Sequence, residues 1–200
     1  MTAGKPDAEV YRTKREQLQL LAALALTGHI ELRFADETGF SLLPNVPYGW
    51  LPKGRQTGIP ADNKRVMNVF GLMSLDQRLT AYPKKGHIDS AFIIKCMDDF
   101  SAKVKKPTVV VMDQAPWHTS MAVREQLERW ERNNMFVFFL PRYSPHLNAI
   151  EILWRFIKYK WLKPKDYLSA DSLRNAVFEI FKHFGKKYKV NFSMNFNLLQ

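Results

Sequence analysis

A short apolar run that ends on an acid most constrains how this chain can fold. Residues 107–113 read PTVVVMD, and the chain then turns at once through Gln114, Ala115 and Pro116. An uninterrupted apolar run of this length, bounded by turn residues, predicts a strand that is buried on both faces. We therefore expect a sheet that is covered by helices, with an acid placed where one of its inner strands ends.

The rest of the chain alternates strand and helix patterns. Helical spacing is found in residues 8–27, 88–104, 119–134, 148–162 and 169–185, and strand patterns are found in residues 29–37, 65–74, 78–86, 107–113 and 135–140. Residues 65–86 predict a hairpin, whereas the later strands are separated by helical crossovers. The predicted fold class is α/β, a three-layer fold with a mixed central sheet flanked by helices.

The length of the chain fits one domain. Its 200 residues, 46% of them hydrophobic, suffice for a single substantial core. We predict a helical lead-in over residues 1–28, the main α/β domain over residues 29–185 and a tail over residues 186–200. No apolar run approaches the roughly 18 residues that span a bilayer, and the single cysteine, Cys96, is interpreted as a small buried hydrophobe. A cytoplasmic protein is expected, since a single cysteine suits a reducing compartment.

The charge of the chain favours a polyanionic partner. Lys and Arg exceed Asp and Glu by enough to give a formal charge of +11 and a pI near 9.8. Neutralising phosphates with such side chains releases condensed counterions, so nucleic acid is the leading candidate. General basicity that serves solubility is the alternative from charge alone.

Two acids terminate predicted strands. Asp36 continues the apolar row of Ile30, Leu32 and Phe34 on a period of two, and Asp113 closes the later strand in the same way. Each acid alone could simply begin a turn. Ligands of open α/β sheets bind at the carboxyl ends of strands, however, so the two acids are expected to be neighbours.

A third acid, Glu151, lies on the helix predicted from residue 148. It shares a face with Arg155 and Lys158, away from a buried stripe of apolar residues. Taken alone, it is interpreted as a structural residue, half of a capping box with Asn148 or a surface pair with Arg155. With Asp36 and Asp113 it would complete an oxygen-lined metal site, because three converging carboxylates repel one another unless a divalent cation neutralises them.

Mg²⁺ or Mn²⁺ suits such a site, and two such ions can activate a nucleophile and stabilise the leaving oxygen of a phosphodiester. Zinc is a poor competitor, because one cysteine and five dispersed histidines show no structural zinc spacing.

Three stretches, ADETGF, VVVMDQAPWH and LPRYSPHLNAIEILWRFIK, resemble in this order the acidic motifs of the DDE transposases, specifically the bacterial insertion-sequence branch of the mariner superfamily. The resemblance spans roughly residues 8–184. It implies a ribonuclease H-like fold and a transposase catalytic core that performs metal-dependent cleavage and strand transfer of DNA. It further implies that Asp36, Asp113 and Glu151 are the catalytic, metal-binding triad. Glu37 matches a family position outside that triad.

Candidate DNA contacts fall in three regions. Trp50, Lys53 and Arg55, with Tyr48, form an aromatic and basic mixture suited to backbone and base-stacking contacts, or an aromatic plug over the sheet edge. Further candidates are His118, Arg142, Arg155 and Lys158. His118 could instead pack around its turn, and Arg142 could simply be solvated.

One departure from the family pattern affects the expected partners. Family members carry helix-turn-helix modules that read the transposon ends, and one helix of this chain cannot do so. We therefore expect a separate or missing DNA-reading module, DNA as substrate, and a homodimer that joins two ends. The alternative functions are a catalytically silent DNA-binding remnant and a ribonuclease H or resolvase type of nuclease on the same fold.

Overall fold

The computed structural model describes residues 7–44 and 65–192. The helices are α1 (Ala8–Leu26), α2 (Ser90–Ser101), α3 (Met121–Arg124), α4 (Leu127–Arg132), α5 (Ile150–Phe156) and α6 (Ala170–His183). The strands are β1 (Glu31–Ser41), β2 (Arg65–Ser74), β3 (Leu79–Lys84), β4 (Thr108–Met112) and β5 (Met135–Phe139). Short 3₁₀ turns occupy Pro145–Leu147 and Pro164–Tyr167.

The five strands form one mixed sheet in the order β3-β2-β1-β4-β5. β1 pairs antiparallel with β2, which forms the predicted hairpin with β3, whereas β4 lies parallel to both β1 and β5. The parallel strands are connected by helical crossovers, as expected for strands that must return to the same edge. This arrangement brings the carboxyl ends of β1 and β4 to one edge of the sheet.

Helices cover both faces of the sheet, which confirms the three-layer prediction. One apolar cluster joins α1, α5 and α6 to the sheet through Leu18, Leu153 and Val177, among others. The second cluster lies on the opposite face and includes Ile93 and Met97 of α2 and Trp130 of α4. Because α1 buries Leu18 and Ala22, it packs as part of the helical layer; the domain boundary at residue 28 stays a prediction.

Two local predictions are wrong. The charged helix predicted over residues 119–134 is divided into α3 and α4, with Ser120 accepting a hydrogen bond from the N–H of Val123 at its start. The capping box of Asn148 and Glu151 does not form, because the residue that precedes α5 is Ala149 and no side chain caps this helix. The side chain of Asn148 instead donates a hydrogen bond to the carbonyl oxygen of Ala35.

Helix α5 continues as a π-helical turn, Ile157–Trp161. π-Helical turns are rare and often occur at functional sites. The turn carries Lys158, which the sequence places on the same face as Glu151.

Within residues 7–44 and 65–192, no helix combines the length and the hydropathy of a membrane-spanning segment.

Candidate active site

Asp36 lies in the middle of β1, on the face that is covered by α5. The prediction that it ends the strand is wrong, because β1 remains paired with β2 as far as Ser41. Leu32 and Phe34 precede it at alternate positions and belong to the same apolar cluster as α5, as the period of two predicts. Its Cα partner on β2 is Gly71, and only 8% of Asp36 is exposed. The long central strand therefore holds this carboxyl group rigidly inside the protein.

Asp113 directly follows β4 and occupies the equivalent place on the neighbouring strand. Phe34 of β1 pairs with Val111 of β4, and Asp36 and Asp113 each lie two residues beyond this pair. Val111 belongs to the apolar cluster that contains α5, and the charge of Asp113 affects both Asp36 and Glu151. The structure thus brings two of the three predicted acids to adjacent strands.

Glu151 is in the first turn of α5, and Asn148 fixes the entry to that helix. The buried side chain of Asn148 donates a hydrogen bond of 3.0 Å from Nδ2 to the carbonyl oxygen of Ala35. This contact ties the turn before α5 to the residue that precedes Asp36. A second contact, 2.8 Å between the Tyr11 hydroxyl and His146 Nε2, joins the same turn to α1.

The electrostatics show that the acids are crowded. Burial raises the pKa of Asp36 well above its usual value, and the nearby charges of Glu151, Glu37 and Asp113 raise it further. Although Glu151 is exposed at the surface, partial burial of its carboxyl group raises its pKa, and Lys158 opposes this rise. The pKa of Lys158 is lowered by burial against the attraction of Glu151 and Asp36. These mutual effects place the three predicted acids and Lys158 in one electrostatic environment.

His118 lies between two acids and is fully buried. Its Nδ1 is 2.5 Å from Asp113 Oδ1, and its Nε2 is 3.0 Å from Glu37 Oε2, an ion-pair contact that lacks hydrogen-bond geometry. Burial alone would lower the pKa of His118, but Asp113 and Glu37 raise it to about 9. Burial would raise the pKa of Asp113, yet the hydrogen bond and charge of His118 outweigh it and lower that pKa.

The residues fit a hard divalent cation by their chemistry. Their donors are carboxylate oxygens. Burial and then the repulsion of neighbouring acids raise the pKa of Asp36, and a cation would relieve that repulsion. Asn148 and Glu151 line the same groove. The buried Oδ1 of Asn148 has no hydrogen-bond partner among the described residues. As the side chains lie, however, no group of three His, Cys, Asp or Glu residues within 7–44 and 65–192 is close enough to coordinate one ion.

Two clefts meet beside these acids. One, of about 700 Å³, lies between the segments that follow β4 and β5 and is lined by Asp113, Arg142 and Tyr143. The other, of about 510 Å³, is lined by Glu151, Arg155 and Lys158, among others. Pro145 lines both clefts, so they lie on either side of this residue.

The predicted DNA contacts divide into three groups. Arg142, Arg155 and Lys158 line the clefts. His118 does not, because its ring is buried, so the predicted contact of this residue with DNA is not supported by its position. Trp50, Lys53 and Arg55 lie outside the described residues.

Sequence reasoning missed the roles of Glu37 and Trp117. Glu37 faces the opposite side of the sheet from Asp36, and its Oε1 accepts a 2.7 Å hydrogen bond from Trp117 Nε1. Its position beside Asp36 was visible in the sequence, but its partner 80 residues away was not. The shared motif that contains Trp117 and His118 was the only available signal.

A family model of DDE superfamily endonucleases matches residues 31–174. The chain belongs to this family. The match includes the three acids, and the insertion-sequence branch predicted within the wider group stays a prediction.

Similarity to solved structures establishes the ribonuclease H-like fold. The chain superposes on the Mos1 mariner paired-end complex with Mn at a TM-score of 0.58 and 15% identity, covering 91% of this chain and 57% of that one. It also superposes on the Mos1 strand transfer complex, at a TM-score of 0.53 and 15% identity. This match covers 91% of this chain and 56% of the Mos1 chain. An uncharacterised protein of Sinorhizobium fredii is 31% identical over 65 residues, which is 32% of this chain and 44% of that protein. The chain thus spans about half the length of these relatives.

Proposed function

We propose that this chain is the catalytic core of a DNA transposase, which cleaves DNA phosphodiesters and transfers the resulting strand. The observation that carries the proposal is the proximity of Asp36 to Asp113 on the neighbouring strand and to Glu151 on α5. Burial raises the pKa of Asp36, and the charges of these acids raise it further. Membership of an endonuclease family supports the reaction class. The solved transposases that share the fold supply the substrate class by analogy.

In this proposal Asp36, Asp113 and Glu151 hold Mg²⁺ or Mn²⁺, two ions by analogy with the two-metal nucleases. When bound, the ions would supply activation of a water or a 3′ hydroxyl and stabilisation of the leaving oxygen. Asp36 contributes rigidity, because it lies within the central strand β1. Glu151 contributes adaptability, because it is exposed at the start of α5.

The basic residues of the clefts would hold the DNA. Arg142 lies beside Asp113, while Arg155 and Lys158 lie beside Glu151. Guanidinium and ammonium groups on both sides of the acids can bind successive phosphates and fix the register of the scissile bond. The proposed role of Trp50, Lys53 and Arg55 in DNA binding rests on the sequence alone.

We further propose that the chain works as a homodimer with a separate helix-turn-helix module. Support comes from the resemblance and from the reaction, since joining two DNA ends requires two active sites in one assembly.

The test combines metal binding with DNA cutting. Titrating the parent and Asp113→Asn with Mn²⁺ by calorimetry, and then assaying supercoiled-plasmid nicking, should show binding and nicking in the parent and loss of both in the variant. A linear duplex, an RNA–DNA hybrid and a four-way junction serve as alternative substrates. Metal-independent DNA binding without nicking in the parent would contradict the proposal and favour a silent DNA-binding remnant.

A further inference from the structure

His118 connects two acids that come from different strands of the sheet. Its Nδ1 is 2.5 Å from Asp113 Oδ1, at the end of β4, and its Nε2 is 3.0 Å from Glu37 Oε2, on β1. The ring is fully buried. A buried imidazole with an acid at each nitrogen has no freedom to rotate without losing one of these contacts, so its position is closely defined.

The position of His118 is fixed from the β1 side as well. Trp117 Nε1 donates a 2.7 Å hydrogen bond to Glu37 Oε1, and the Trp117 carbonyl oxygen accepts a 2.9 Å hydrogen bond from the hydroxyl of Ser90, the first residue of α2. Glu37 Oε1 is thus held by a hydrogen bond to Trp117, while its Oε2 makes only an ion-pair contact with His118. Both contacts lie on the side of the sheet opposite to Asp36, the neighbour of Glu37 in sequence.

The contacts on Asp113 are unequal. Its Oδ1 receives both the contact with His118 Nδ1 and a 3.0 Å hydrogen bond from the N–H of Ala115. Within the described residues, no hydrogen bond is made to Oδ2, and Asp113 lines the larger cleft. One oxygen thus fixes the carboxylate to the protein, while the other is left to bind a ligand.

We propose that His118 is a positioning residue for the cleavage reaction: it holds Asp113 by Oδ1 so that Oδ2 is presented to the metal, and with Trp117 it keeps Glu37 out of the metal site. This inference rests on the proposed function, because it assumes that Asp113 is a metal ligand. Residues that hydrogen-bond to metal-ligating side chains orient them, and their loss typically costs about 10–100-fold in metal affinity or activity.

Two amide substitutions separate this role from simple packing. In H118N the amide nitrogen is near the place of Nδ1 and can still donate to Asp113, whereas in H118Q it is near the place of Nε2 and reaches Glu37 instead. We expect H118N to bind Mn²⁺ within a few-fold of the parent. H118Q and H118A should bind it about 10–100-fold more weakly, with a parallel fall in kcat for nicking and little change in the KM for DNA.

Calorimetric Mn²⁺ titration is the primary readout, since it does not depend on turnover, and thermal unfolding of each metal-free variant records any loss of folding. H183N is the matched control. His183 pairs with Glu179 on α6, and its replacement should leave both affinity and nicking at the parent level. If H118A does not fold, W117F replaces it: this variant keeps an aromatic ring but removes the donor to Glu37, and it should weaken Mn²⁺ binding.

The results of these experiments decide whether His118 positions Asp113. Equal losses in H118N and H118Q that follow their melting temperatures would overturn the positioning role and leave His118 as a packing residue. Parent-like Mn²⁺ affinity in H118A, or in W117F where it replaces H118A, would also overturn it, while the proposed function would stand. If the parent itself bound no Mn²⁺ and did not nick DNA, the proposed function would fail and this inference with it.

Discussion

Asp36 is a buried acid with three other acids near it. Burial and the charges of Glu151, Glu37 and Asp113 all disfavour its ionised form. A protein retains such an arrangement at a cost to stability, and the cost is understandable at a site where a cation is to bind. The residue that is most valuable for the proposed chemistry is thus expected to be unfavourable for folding.

Asp36→Asn should therefore stabilise the metal-free protein and abolish nicking. Removing a crowded, buried charge should gain about 1 kcal/mol, which for a chain of this size raises Tm by about 2–4 °C. Differential scanning calorimetry in EDTA measures the shift. Glu128→Gln makes the same charge change on the exposed surface of α4, and it should change Tm little. A lower Tm for the Asp36 variant would mean that its carboxylate forms contacts that stabilise the fold.

Cys96 provides a test of burial on the opposite face of the sheet. Burial, with a contribution from Asp99, raises the pKa of its thiol to about 12, compared with about 8.5 for a free thiol. Since only the thiolate reacts, iodoacetamide at pH 8 should modify the folded protein about 100-fold or more slowly than the urea-unfolded protein. Because the folded state favours the protonated thiol, its contribution to stability is complete below about pH 8.5 and is lost as the pH rises toward 12.

An exposed cysteine on the same protein controls for reagent access. Lys165→Cys, in a Cys96→Ala background, places the thiol on an exposed residue, so it should react at the rate of a free thiol. Rapid modification of Cys96 in the folded parent would show that α2 opens from the sheet far more often than its packing indicates.

At the residue scale, periodicity could locate acids but not their partners. The period of two placed Asp36 on the correct face of β1, since alternation is a local property of strands. Asn148 was interpreted as a helix cap because the sequence shows a residue three positions away. Its actual partner, Ala35, is 113 residues away. Contacts at such separations depend on the topology of the sheet, which no local pattern contains.

At the scale of elements, the approach of α5 to the sheet depends on Gly71. A Cβ at this position would be 2.8 Å from two atoms, Cζ2 and Cη2, of the Trp154 ring, and 3.2 Å from Ile150 Cδ1. Gly71 is the Cα partner of Asp36. The absence of a side chain there allows the helix that carries Glu151 to lie directly over the strand pair that carries Asp36.

Gly71→Ala should therefore displace α5 and separate the acids. Overpacking of this kind costs about 1–3 kcal/mol, and nicking should fall more steeply than stability because Glu151 moves with the helix. Urea unfolding and plasmid nicking measure the two effects. Trp154→Phe removes the two ring atoms that the new Cβ would meet, so the double variant should recover part of the loss. Purely additive effects in this double-mutant cycle would show that the two residues do not compete for space.

Element types were more predictable than element limits. The strands and the helices α1, α2, α5 and α6 follow clear periodicities, whereas the segment over residues 119–134 is divided between α3 and α4. The π-helical turn after α5 was not predicted either, because an extra residue in a helical turn is stabilised by tertiary packing and leaves no periodic signal. The predictions for Trp50, Lys53 and Arg55 lie outside the described residues.

At the scale of the whole molecule, the alternation of strands and helices predicted three layers. The expectation that Asp36 and Asp113 are neighbours came instead from the rule that ligands of open α/β sheets bind at the carboxyl ends of strands, because periodicity does not reveal which strands are adjacent. The positions of the basic residues on the folded surface could not be predicted from the sequence either. A formal charge of +11 indicates a polyanionic partner, but only the folded chain shows that Arg142, Arg155 and Lys158 line the clefts that contain Asp113 and Glu151.

If the DNA lies in these clefts, removing their basic residues should reduce the salt dependence of DNA binding. For duplex DNA, log K falls with log salt concentration by about 0.9 for each phosphate contact. Replacing Arg155 and Lys158 by alanine should therefore weaken binding and reduce the slope by about 2. Fluorescence anisotropy with a labelled duplex at several salt concentrations measures the slope, in EDTA so that no DNA is cut.

The matched control removes the same charge from the opposite face of the sheet. Lys103 and Arg129 are exposed and form ion pairs with Asp99 and Asp98, so replacing both by alanine should leave the slope nearly unchanged. Equal reductions in the two double variants would mean that DNA responds to the overall charge of the protein and that the clefts do not define its path. A reduction confined to the Arg155 and Lys158 variant would place the phosphates beside Glu151, where cleavage requires them.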